Sequence, residues 1–174
     1  MKKNLLLSFL MVLTVASYGQ NLKNVQLYDH NGFLGMTEGF VGVIQNPDRF
    51  SLIIDSPEQN GSPKGFTAMK GTSTIEGAAD ERMDDGTEFK NGRIISDSTR
   101  SSRLYFYVWH IDDNNEKFVI FEKDEKSEIL WFAVLDQEGM KTFNRAVWEA
   151  QQKGIIKETL SEDDIDRFLY LFDL

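Results

Sequence analysis

RLYFYVWHI, residues 103–111, is the stretch that decides the fold. It has no helical period, and its Tyr, Phe, Val and Trp residues suit a pleated, part-buried surface. Alternation sends Leu104, Phe106, Val108 and His110 to one face and Tyr105, Tyr107, Trp109 and Ile111 to the other. Both faces are apolar. A strand with one wet face would alternate with polar residues, so this one is expected at the centre of a sheet with both sides covered.

Toward the C-terminus two more β-rich runs follow, at 116–122 and 128–135, each reached through a short polar connection. Such connections force neighbours to run antiparallel, which predicts a meander over about 103–135. Then the period changes. Met140, Phe143, Val147 and Ala150 fall on one helical stripe, with Asp136 placed to cap its start and Gly154 just past its end. A second helix is expected from Ser161, where Glu162, Asp163 and Asp164 favour the positive end of the dipole and Ile165, Phe168, Leu169 and Phe172 form a stripe. The two short helices are thus expected at about 137–153 and 162–172.

Toward the N-terminus, 24–28, 33–44 and 50–54 read as strands broken by turns. Residues 55–102 are polar and rich in glycine, with short strands expected at 66–70, 72–76 and 88–95. Asn91-Gly92 suits the positive-φ pair of a type I′ hairpin turn. The segments 77–86 and 96–102 are expected as mobile loops within a mobile polar stretch around 77–102. The fold class expected is α+β: a mainly antiparallel, curled or barrel-like sheet. The 137–153 helix would lie on one face of the central strand and the strands of 55–102 on the other.

The first residues give an address. Lys2 and Lys3 precede an apolar run from Leu5 to Ala16, and Ser17 and Gly19 place small residues before a cut at Gln20. That is the layout of a signal peptide over 1–19, with an apolar run too short to span a bilayer comfortably. Residues 20–174 then form a single extracytoplasmic domain, periplasmic or secreted, with no stable membrane insertion after cleavage. The full chain carries a net charge of −9, which becomes −11 when Lys2 and Lys3 leave. Such a field repels nucleic acid and favours a basic protein partner or a cation. There is no cysteine, so thiolate metal sites, a thiol nucleophile and a lipid-bearing cysteine are excluded.

Catalytic motifs are absent. There is no G-x-S-x-G, S-x-x-K, P-loop or dinucleotide fingerprint, and the only histidines are His30 and His110. The acids at 80–88 and 112–116 lack the spacing of an EF-hand loop and read as solvated turns. No catalytic residue, cofactor or metal site is therefore expected. Tyr105, Tyr107 and Trp109 are expected to share a face with Trp131 across the meander. Large aromatics with polar handles make a surface for a small ligand or a protein partner. The expected function is an exported, non-catalytic binding or interaction protein. The alternatives are an exported hydrolase using acidic residues with His30, and a carrier of a small apolar ligand.

Overall fold

The computed structural model describes residues 18–29, 37–55, 64–82, 86–112 and 115–159, with side chains from 46–53, 65–82, 86–111 and 115–159. In chain order the elements are β1 (Tyr18–Asp29), β2 (Thr37–Asn46), β3 (Arg49–Asp55), β4 (Lys64–Met69), β5 (Ser73–Ala78) and β6 (Glu81–Arg82). They continue with β7 (Glu88–Asp97), β8 (Arg103–Asp112), β9 (Asn115–Lys123), β10 (Ile129–Leu135), α1 (Gln137–Gln152) and β11 (Ile156–Glu158). All strands belong to one sheet, ordered β11-β5-β7-β8-β9-β10-β1-β2-β3-β4, with β6 added beside β7. Every pairing is antiparallel except that of β11 with β5.

The meander of β8, β9 and β10 forms as its short connections require. The strands of 55–102, however, are not a second layer over β8. β5 and β7 extend the same sheet on one side, and β4 closes the far end of it. The sheet also stays open rather than forming a barrel, because its end strands β11 and β4 do not pair. It does curl. A turn at Lys70–Thr72 joins β4 directly to β5, although the two are separated by the whole width of the sheet.

Polar side chains clasp that curl. Asp97, at the end of β7, is buried and accepts from the Met69 amide of β4 (2.8 Å) and the Thr72 hydroxyl (2.8 Å). It also accepts from the Ser73 hydroxyl and from the amide (2.9 Å) and hydroxyl of Thr99. Burial works against its ionisation, but the hydrogen bonds from Ser73, Thr99 and Met69 outweigh that and hold its carboxyl well below the usual carboxylate range.

The helix α1 follows the sequence pattern. The Asp136 carboxylate accepts from the Gly139 amide (2.8 Å), and Gly154 ends the helix with φ +67°. Its stripe of Met140, Phe143, Ala146, Val147 and Ala150 is buried in the concave side of the sheet. There the Phe143 ring meets Phe106 at 5.2 Å, Phe118 at 5.8 Å and Phe50 at 6.1 Å between centroids. α1 is the only helix among the described residues. The two-helix ending is not supported, since 162–172 lies outside the described residues.

The Asn91-Gly92 hairpin is also corrected. Both residues lie inside the continuous strand β7, where the register to β8 shifts between Lys90 and Arg93. The positive φ that the sequence suggests is present at Asn91 (φ 56°), but it serves a β-bulge, not a turn.

Candidate interaction surface

β8 lies between β7 and β9, as its two apolar faces demand. Leu104, Phe106 and Val108 point into the concave core with α1. Tyr107 belongs to a second cluster on the opposite, outer face with Phe89, Val119, Phe121 and Val134, and Tyr105, Trp109, Ile129 and Phe132 pack against it while partly exposed. α1 contributes nothing to this outer cluster.

The register explains the row. Tyr105 pairs with Phe121, and Phe121 with Phe132, so three aromatics stand side by side across β8, β9 and β10. The Phe121 ring is stacked on both Tyr105 (5.6 Å, 9°) and Tyr107 (5.6 Å, 13°). Trp109 meets Phe89 edge-on at 6.2 Å.

One ion pair lies across the row. Glu81 of β6 receives Lys123 Nζ on both oxygens (2.7 and 2.8 Å) and the Tyr107 hydroxyl at 3.2 Å. The same ammonium sits 4.9 Å from the Tyr105 ring centre and 5.1 Å from that of Phe121, within cation–π range. Burial, with the Glu81 carboxylate next in importance, pushes the Tyr107 phenol above its ordinary range. Tyr107 therefore serves as a neutral hydrogen-bond donor.

The bulge of β7 makes room for that ring. A Cβ at position 92 would stand 2.2 Å from Tyr107 Cε1 and 2.9 Å from the Ala78 methyl. Gly92→Ala is expected to cost about 2 kcal/mol by overpacking. Urea unfolding checks this, and an unchanged midpoint would mean that Tyr107 does not need the space.

Trp131 does not join the row. It pairs with Glu122, which pairs with Leu104, so it faces the concave core, and an extra residue at the β10 bulge sets that phase. Its indole Nε1–H donates to Glu122 Oε2 (2.5 Å). Glu122 is buried and also receives the Ser102 hydroxyl and Arg100 Nη2 (3.0 Å), while the Arg100 guanidinium lies 5.0 Å from the Phe66 ring. This cluster and the Asp97 clasp escape sequence reasoning. The only local sign is an acid two residues before a threonine at Asp97-Ser98-Thr99, which fits a turn.

His110 is exposed, with Nδ1 2.9 Å from Glu116 on the neighbouring strand. His30 lies outside the described residues, as do Asp84, Asp85, Asp113 and Asn114. Among the described residues no group of three or more acids and histidines is arranged to hold a metal ion. Comparison with known proteins finds no family, no curated relative and no solved structure that matches this chain.

Proposed function

We propose that the protein is exported and acts as a non-catalytic binding module whose contact surface is the outer face of β8. The observation that carries this is the arrangement of Tyr105 and Trp109, partly exposed beside a rigid stack, on a sheet face that the helix leaves alone. Aromatics held in place by packing lose little entropy on contact and supply both apolar area and hydrogen bonds. The net charge, −9 for the full chain and −11 without Lys2 and Lys3, supports a basic protein as partner, drawn in by the field and held by the rings.

Trp131, in the concave core, is not part of this surface. The hydrolase and carrier alternatives gain no observation. His30 is outside the described residues, and Phe143 stands among three other phenyl rings in the concavity.

Calorimetric titration with polylysine and a panel of basic exported proteins tests the proposal, at about 20 and about 300 mM salt. Binding is expected to weaken with salt and to drop about tenfold, roughly 1.4 kcal/mol, in a Tyr105→Ala/Trp109→Ala double variant. Binding indifferent to salt would remove the charge argument, and binding indifferent to the double variant would remove this surface.

A further inference from the structure

We propose that the outer face grips a basic partner through one arginine side chain, which takes the place of Lys123 between Glu81 and the rings of Tyr105 and Phe121. This rests on the reading of that face as the contact surface for a basic protein, and it names the group recognised. The seat already holds a cation from its own chain. Lys123 Nζ bonds both Glu81 oxygens, at 2.7 and 2.8 Å. It lies at nearly equal distances, 4.9 and 5.1 Å, from the Tyr105 and Phe121 ring centres. Those two rings are parallel within 9°. A carboxylate beside aromatic rings is a receptor for ammonium and guanidinium groups, because its charge and the ring quadrupole attract the same cation.

Three features make the internal cation replaceable. Arg103 stands directly opposite Lys123 in the β8–β9 register, and like charges so placed repel. Lys123 is also the last residue of β9, and its flexible four-carbon stem is free to swing toward the turn that follows. The carboxylate, finally, is the more open partner, with 28% of the Glu81 side chain exposed against 15% of Lys123. An entering guanidinium reaches Glu81 beside the exposed Asp80 and frees Lys123 from the repulsion of Arg103. The chemistry favours arginine as the entrant. One ammonium nitrogen serves both carboxylate oxygens, whereas a guanidinium fork gives each oxygen its own N–H and stacks flat on an aromatic ring. Lys123 then acts as a built-in competitor, since the partner binds only the molecules in which it has left the seat.

Two measurements on the full chain test this. In the first, a Lys123→Ala variant is melted in about 50 mM propylguanidinium chloride and in the same concentration of sodium chloride. The guanidinium salt is expected to raise its Tm by about 3 °C over sodium chloride and to leave a Glu81→Gln/Lys123→Ala variant unmoved. No rise in the single variant, or an equal rise in both, would overturn the seat. In the second, the unaltered protein is acetylated with and without saturating N-acetylated hexa-arginine, and each lysine's rate is read by mass spectrometry. Lys123 is expected to react slowly alone and severalfold faster with the peptide, while the exposed Lys157 on β11 keeps its rate. A Lys123 that stays slow with the peptide bound, or a peptide that does not bind, would overturn the displacement. The second measurement needs no variant, so it stands even if Lys123→Ala does not fold. The first uses no partner, so its failure and a failed titration with basic proteins are separate results.

Discussion

Asp97→Ala is expected to lower stability by about 3–5 kcal/mol, because it removes the acceptor of several hydrogen bonds in one buried place. Asp97 is 2% exposed, and the Met69 amide and the hydroxyls of Thr72 and Ser73 all point at it. These donors come from β4, from the turn after it and from β5, so the substitution unties the curl as well as a local turn. A domain of this size should lose about 10 °C or more in Tm. Asp97→Asn keeps the shape but replaces an acceptor oxygen with an amide donor, and it should recover only part of the loss.

The same site sets an acid limit. The folded carboxyl titrates well below its ordinary range, so its contribution is fully present above the unfolded value of about 4 and is lost as pH falls below that. Urea midpoints measured at about pH 7, 4 and 2.5 are expected to fall mainly between the last two, and to fall less in Asp97→Asn. Equal slopes in the two proteins would mean that other carboxylates carry the acid sensitivity.

Phe143→Ala is expected to cost about 3–5 kcal/mol, since it removes a fully buried ring and leaves a cavity. The ring has 0% exposure and contacts Phe50 on β3, Phe106 on β8 and Phe118 on β9. β3 is far from the neighbouring β8 and β9 in the order of the sheet, so one side chain of α1 joins both arms of the curl. Phe143→Leu should cost much less, because a smaller volume change is easier to absorb. Thermal unfolding of the pair checks this, and a loss below about 1 kcal/mol for the alanine variant would show a core that collapses around the gap.

Much of the outline was legible in the residues themselves. The stripe, the cap and the closing glycine specify the helix, and the two apolar faces of β8 specify its central place. These depend on neighbours within one or two turns, or on a simple alternation. The candidate surface was legible in part. Tyr105, Tyr107 and Trp109 share a face because they lie on one unbroken strand. Trp131 takes the opposite face from the one alternation predicts, because a single extra residue in β10 reverses the sides of everything beyond it. Asn91-Gly92 carried a correct sign of positive φ, but a hairpin and a bulge ask for the same dipeptide.

The sequence by itself determined the antiparallel meander, the helix and which side of β8 each ring takes, because pleat and helical period act within a few residues. The tertiary structure alone decided that β10 turns to pair with β1, and that β4 comes round to be clasped by Asp97. It also decided that Glu122 and Trp131 meet inside. Those contacts join residues distant along the chain, and their free energy depends on a register that no local pattern encodes.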